Sequence, residues 1–144
     1  MDNKGSLASL KNTLRKIDSL YDFYAKSVGL NYASISILQM LYEDEREYTQ
    51  KEICNELGLP KQFVNSIISG FYEQGFVHFK EGKDRRNKII LVTNSGKDYA
   101  HKILSPLNDA EKKAWGSLSD EELGYLDVIL KDFYKSLSVS FDLF

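Results

Sequence analysis

Two short runs, Phe76-Val77-His78-Phe79 and Lys88-Ile89-Ile90-Leu91-Val92, flank the loop Gly82-Lys83-Asp84-Arg85-Arg86-Asn87 and read as the paired strands of one hairpin. An isolated two-stranded hairpin is marginal in water, so these strands need helices to lie against. The rest of the 144 residues supplies them, and the expected fold class is mainly α with a single small β-hairpin.

Apolar residues at spacings of three and four mark each helix. Leu7, Leu10, Leu14, Ile17, Tyr21, Tyr24 and Val28 form one stripe from Ser6, a candidate N-cap, to Val28, and Gly29 ends it. Tyr32, Ile35, Leu38, Leu41 and Tyr42 form a second helix that runs out in the charged stretch Glu43 to Glu47. Thr49-Gln50-Lys51-Glu52 has the form of a capping box, opening a third, short helix with Ile53, Cys54 and Leu57 on its buried face and Gly58 as its stop. Pro60 suits the first position of a fourth helix, whose Val64, Ile67, Ile68 and Phe71 fall on one face and Lys61, Gln62, Asn65, Ser66 and Ser69 on the other. Gly75 ends it before the hairpin. Asn94 or Ser95 is expected to cap a fifth helix through Ile103 and Leu107, kinked or broken at Pro106. Ser119-Asp120-Glu121-Glu122 is a second capping signature and opens a last helix through Leu123, Leu126, Ile129, Leu130, Phe133 and Leu137.

The formal net charge of −2 conceals a partition. Residues 1–47 carry −1, residues 48–102 carry +3 and residues 103–144 carry −4. The positive charge is densest in the hairpin, where Lys80, Lys83, Arg85, Arg86 and Lys88 face Glu81 and Asp84. A basic middle between acidic flanks suits a polyanionic partner held by the middle alone. No apolar run reaches the roughly 20 residues that span a bilayer, and Met1 to Leu7 lacks a secretory pattern, so a cytoplasmic location is expected. One cysteine and two histidines make neither an internal disulfide nor a zinc site, and no cofactor or metal is expected. No Ser-His-Asp or Cys-His arrangement and no phosphate-binding glycine loop can be assembled, so catalysis is not expected.

Two helices followed by a hairpin with a cationic tip is the order of a winged helix-turn-helix. Over essentially the whole chain, the element order resembles the MarR family of bacterial transcriptional regulators. The family's wing pattern meets Asp84, Arg86, Val92, Thr93 and Gly96, with Val92 standing where leucine is usual. Thr49 to Ile53 and Leu57 to Gln62 resemble its helix-turn-helix, and Gly75-Phe76-Val77 its exit into the wing. The resemblance implies one domain over 1–144, with a winged helix-turn-helix core at about 32–100 and N- and C-terminal dimerisation helices at about 6–28 and 103–144. It further implies a homodimer on a pseudo-palindromic operator, with each fourth helix in a major groove and each wing tip at a minor groove. Repression is the expected mode. A small aromatic or anionic effector between the dimerisation helices and the winged core is left open, with Tyr21, Tyr24, Tyr32 and Trp115 as candidates by position.

Within such a site the residue types suggest their roles. Arg86, a permanently charged fork, suits the negative potential of a narrow minor groove, while Lys83, Arg85 and Lys88 suit phosphates. Asp84 would repel a phosphate and is expected to hold an arginine or to cap loop amides. Lys61 lies at the start of the fourth helix. Gln62 and Asn65 can pair with adenine edges, and Ser66 and Ser69 can donate or accept. Ser66 and Gly70 occupy positions where the family commonly has a basic residue. Cys54 reads as a small core residue rather than a redox sensor. His78 and His101 read as strand and helix-surface residues. The competing class is a winged-helix protein-interaction module, in which the same charged tip is only a solvated turn.

Overall fold

The computed structural model describes residues 3–142 and falls into two compact units, residues 1–105 and 106–144. The expected apolar tail Leu137 to Phe144 is therefore described only as far as Asp142, with Leu143 and Phe144 outside the described residues.

The first unit holds α1 (Asn3–Ser27), α2 (Tyr32–Glu43), β1 (Tyr48–Thr49), α3 (Gln50–Leu57), α4 (Lys61–Glu73), β2 (Val77–Lys80), β3 (Ile89–Val92) and the first half of α5 (Asn94–Trp115). Its core is built from buried faces contributed by nearly every element. Ile35, Ile37 and Leu38 come from α2, Ile53 from α3, Val64, Ile68 and Phe71 from α4, Val77 and Ile90 from the hairpin, and Ala100, Ile103 and Leu104 from α5. The second unit holds the end of α5, a turn at residues 116–119 and α6 (Asp120–Asp142), which has no buried residue.

Most helix ends follow the sequence. The αL glycine Gly29 closes α1, and the Leu30 amide reaches back to the Ala25 carbonyl at 2.8 Å. The Thr49 hydroxyl accepts from the Glu52 amide at 3.2 Å and opens α3. Ser119 and Glu122 form the full reciprocal box, each backbone amide donating to the other's side chain at 3.0 and 3.1 Å. Hydrogen bonds from Ser119 hold the Glu122 carboxyl below the usual carboxylate range.

Five expectations need correction. Helix α1 is already formed at Asn3, so Ser6 lies inside it and not at its cap. Pro60 is the N-cap of α4 and not its first residue, with the Val64 amide bonded to the Pro60 carbonyl at 3.1 Å. The cap of α5 is Thr93, whose hydroxyl accepts from the Gly96 amide at 2.9 Å, rather than Asn94 or Ser95. Of a kink or a break at Pro106, the break does not occur, because α5 continues through it. Proline costs one hydrogen bond and a ring clash there, and burial of Ile103 and Leu104 one turn earlier offsets it on one side. Finally, the sheet has three strands in the order β1-β3-β2, because Tyr48 and Thr49 pair antiparallel with Ile90 and Ile89. Strands β2 and β3 pair from Val77 with Val92 to Lys80 with Ile89, each starting one residue later than the sequence suggests.

The hairpin is fastened to α4 and α5 at one crossing. The Thr93 hydroxyl donates to the Gly75 carbonyl at 2.6 Å, and the Thr93 amide donates to the Phe76 carbonyl at 3.0 Å. Gly96 lies so close that a Cβ would stand 2.0 Å from the Phe76 carbonyl oxygen and 2.8 Å from a Val92 methyl. A side chain cannot be accommodated there without moving backbone. Gly96→Ala is expected to destabilise the protein by about 3 kcal/mol or more, whereas Gly70→Ala, in open space within α4, is expected to stabilise it by up to about 1 kcal/mol. Chemical denaturation of the two variants beside the parent checks both signs.

Candidate nucleic-acid interface

Helices α3 and α4 and the wing enclose a groove of about 600 Å³, lined by Lys51, Cys54, Lys61, Asn65, Arg86 and Lys88 among others. Each side chain is delivered by a distinct local device. The αL glycine Gly58 turns α3 towards α4, and the Gln50 amide makes a long 3.4 Å contact with the Lys61 carbonyl, joining the starts of the two helices. Buried Val64, Ile68 and Phe71 turn the opposite face of α4 to solvent. Tyr72 stacks on Phe79 with ring centroids 5.4 Å apart, linking the end of α4 to the wing strand β2.

The wing tip is ordered from within. The Asp84 carboxylate accepts from the Arg86 amide at 3.0 Å and from the Asn87 side-chain amide at 3.1 Å, and the Asp84 carbonyl accepts from the Asn87 amide at 3.0 Å. Of the two expectations for Asp84, amide capping is observed, and among the described residues no ion pair to an arginine forms.

Charge is partitioned across this surface. Glu47 pairs with Lys80 at 2.5 Å. Arg46 pairs with Glu52 and, at 3.8 Å, with Glu56, and its guanidinium lies 4.3 Å from the centre of the Tyr48 ring. The Tyr48 hydroxyl donates to Asp44 at 2.6 Å, which with burial raises its pKa. Asp44, Glu47, Glu52, Glu56 and Asp84 are thus occupied by Arg46, Lys80, a phenol and loop amides. Among the described residues, Lys51, Lys61, Lys83, Arg85, Arg86 and Lys88 form no ion pair, and their charge is available to a partner.

The sequence-identified residues do not all share one space. Lys61, Asn65, Arg86 and Lys88 line the groove. Lys83 lines a separate cleft on the α3 side of the wing with Glu47, Glu52 and Asp84. Gln62 and Ser66 are exposed and Ser69 half-buried on the outer face of α4, while Arg85 is exposed at the tip. Two groove residues, Gln50 and Lys51, escape a reading based on α4 and the wing alone; their position directly after the Thr49 cap is the available signal. Cys54 also differs from expectation. Only Ile53 of the α3 apolar face is fully buried, and Cys54 is half-exposed beside Lys51 in the groove.

Of the aromatic candidates, Tyr21 packs edge-on against Tyr32 at 5.1 Å. The Tyr24 hydroxyl donates to the Ile103 carbonyl, and burial raises its pKa. Trp115 is exposed at the end of α5. His78 and His101 are surface residues. No group of three or more His, Cys, Asp or Glu side chains among the described residues is placed to hold a metal ion, and no described helix is long and apolar enough to cross a membrane.

Six helices with a three-stranded wing sheet define a winged helix-turn-helix protein. Residues 28–87 match the sequence model of the MarR family. The structure is similar to that of a MarR family regulator from Neisseria meningitidis, with 25% identity over 95% of this chain and 96% of that one and a TM-score of 0.82. It is similar in fold to Staphylococcus aureus MepR in its DNA-binding conformation (19% identity, 92% and 98% covered, TM-score 0.77) and in complex with DNA (19%, 90% and 96%, 0.72). No curated protein matches the chain by sequence. Residues 28–87 thus match the MarR family, and the chain as a whole shares the winged helix-turn-helix fold of MarR family regulators.

The Asp84 contacts define a local prediction. In Asp84→Ala the amides of Arg86 and Asn87 are expected to exchange with solvent at least about tenfold faster, while the thermal midpoint moves by less than about 2 °C, because opening confined to a loop leaves global stability untouched. Hydrogen exchange followed by NMR reads both. Unchanged exchange would show that the tip is held by something other than this carboxylate.

Proposed function

We propose that this protein is a sequence-specific DNA-binding transcriptional repressor that acts as a homodimer on a pseudo-palindromic operator. The observation that carries this reading is the charge partition. Asp44, Glu47, Glu52, Glu56 and Asp84 are occupied within the chain, whereas Lys51, Lys61, Arg86 and Lys88 converge on one groove with no ion pair among the described residues. Such an arrangement suits a phosphate backbone, whose neutralisation releases counterions.

The division of labour follows from chemistry. Lys51, Lys61, Lys83, Arg85 and Lys88 contact phosphates and set the register. Arg86, aligned by the Asp84 loop, enters the minor groove. Gln62, Asn65, Ser66 and Ser69 read base edges from the major groove.

Dimerisation is supported by what α1 and α6 leave uncovered. Leu7, Leu10, Leu14, Ile17, Leu20 and Phe23 on α1 are each exposed by a third or more, as are Leu126, Ile129, Leu130, Phe133, Leu137 and Phe141 on α6. An apolar stripe left exposed along a helix, as on each of these two, suits an interaction site. The acidic flanks then lie away from phosphate, and an operator with two half-sites requires two α4 helices.

The test is binding to fragments of the source genome at two salt concentrations with competitor DNA present, using the parent and Arg86→Ala. The parent is expected to select a pseudo-palindrome. Arg86→Ala is expected to lose about tenfold in affinity and about one unit of the slope of log affinity against log salt, with fold and dimer intact by circular dichroism and light scattering. Weak binding that is equal for all fragments, or an Arg86→Ala variant as tight as the parent, would instead favour a protein-interaction module.

A further inference from the structure

The outer half of α4 carries one residue that does not belong to a polar face. Phe63 is 40% exposed and, unlike Tyr72, which stacks on Phe79, has no ring partner among the described residues. With buried Val64, Ile68 and Phe71 fixing the inward direction, a helix of 3.6 residues per turn turns Gln62 and Ser66 directly outward. Phe63 lies beside them on the shoulder away from Lys61 and Asn65, the two α4 residues that line the groove. The two-fifths of Phe63 that stays open to solvent is apolar area not recovered within the chain, and it is available to a partner.

What surrounds Phe63 indicates how a partner approaches. One turn on stands Ser66, and two turns on stands Gly70. A Cβ at Gly70 would meet nothing within 4 Å, so no packing within the chain requires glycine there, although glycine costs about 1 kcal/mol of helix propensity relative to alanine. On the outward side of this flank Ser66 and Gly70 are small, Ile67 on its inward side is half-buried, and Phe63 projects from the first turn of the helix. In a helix-turn-helix the first turns of the second helix are the part that reaches base edges. A phenyl ring can neither donate nor accept a hydrogen bond, and the negative face of its π system is repelled by phosphate. The one apolar group on a major-groove edge is the C5-methyl of thymine.

Resting on the DNA-binding reading of α4, we propose that Phe63 is a specificity-determining residue that packs its ring against the C5-methyl group of a thymine in each half-site. The contact selects thymine without a hydrogen bond and adds apolar discrimination to a helix whose other outward side chains are amides and hydroxyls.

The test begins with selection of an operator by the parent protein from randomised duplexes. Each thymine of the half-site is then replaced in turn by deoxyuridine, which removes the methyl and leaves every hydrogen-bonding edge in place. Dissociation constants are measured for the parent, Phe63→Ala and Phe63→Gln, each checked for fold and oligomeric state. At one thymine per half-site, loss of the methyl is expected to weaken the parent about fourfold, as befits one buried methyl group. The same change is expected to weaken either variant by less than about 1.5-fold. Phe63→Gln, of similar length but polar, is expected to lose the thymine preference at that position when selection is repeated.

A parent and variants equally sensitive to every deoxyuridine would overturn the proposal while leaving operator binding intact. So would variants that alter oligomeric state and leave the deoxyuridine profile unchanged, since Phe63 would then be covered by protein. Failure of the parent to select any sequence is a different result: it removes the operator reading, and the thymine contact with it.

Discussion

The spacing between α4 and the wing depends on one crossing, where Thr93 and Gly96 meet Gly75 and Phe76. The end of α4, the start of β2, the end of β3 and the start of α5 converge there. Thr93 serves three of them at once: its hydroxyl donates to Gly75, its amide donates to Phe76, and its hydroxyl accepts from Gly96. Gly96 is required because the α5 backbone lies against the Phe76 carbonyl at a distance no Cβ tolerates. Behind the crossing, the Phe76 ring stacks on Tyr99 at 4.1 Å, and Tyr99 in turn meets Phe71 edge-on at 6.4 Å. Burial raises the Tyr99 pKa, as expected for a phenol set among rings. Local capping of α5 and long-range fixation of the hairpin are thus the same hydrogen bonds. A change that disturbed the cap would also release the wing.

This geometry gives the charge partition its value. Surface ion pairs such as Glu47 with Lys80 contribute at most about 1 kcal/mol to stability, so their main consequence is electrostatic. They remove negative charge from the neighbourhood of the groove and orient the wing base. Arg46 does the same for α3 by holding Glu52 and Glu56 together. A chain of net charge −2 can therefore present a locally cationic groove, because a field at short range depends on nearby unpaired charges and is screened beyond about 8–10 Å at physiological salt.

The parts of the fold that follow from short-range rules were legible in the sequence. Helix stops at Gly29, Gly58 and Gly75, the Thr49 and Ser119 caps and the hairpin with its cationic tip all rest on residues close together in the chain. Features set by distant contacts were less so. Strand β1 is two residues long and exists because β3 presents an edge to Tyr48 and Thr49. The cap of α5 belongs to Thr93 because Thr93 is also held by Gly75, eighteen residues earlier. Helix continuity through Pro106 is a tertiary outcome that overrides a local penalty. At the groove, Lys61, Asn65, Arg86 and Lys88 are brought together as the sequence suggests. Lys83 is not, because the wing has two sides and sequence order does not say which side a loop residue takes. Cys54 sits at the edge of an apolar stripe only eight residues long, too short to separate a buried position from one at the rim.

An α4 without basic residues beyond Lys61 changes how affinity and discrimination divide between the elements. Of the cations around the groove that form no ion pair among the described residues, all but Lys61 lie on the wing and the start of α3, so under the proposed function most of the salt-dependent binding energy arises outside the major groove. That energy carries little sequence information, since phosphates are alike at every base pair. Under that proposal discrimination falls to amides, hydroxyls and an exposed ring on α4, groups that gain little on a wrong sequence and must come close to gain on the right one. Ser66, Ser69 and Gly70 permit that approach at the expense of helix propensity and of charge. On that proposal the regulator gains its hold from one element and its selectivity from another, and the Thr93–Gly96 crossing, which sets the distance between the two, would make them act on the same stretch of duplex.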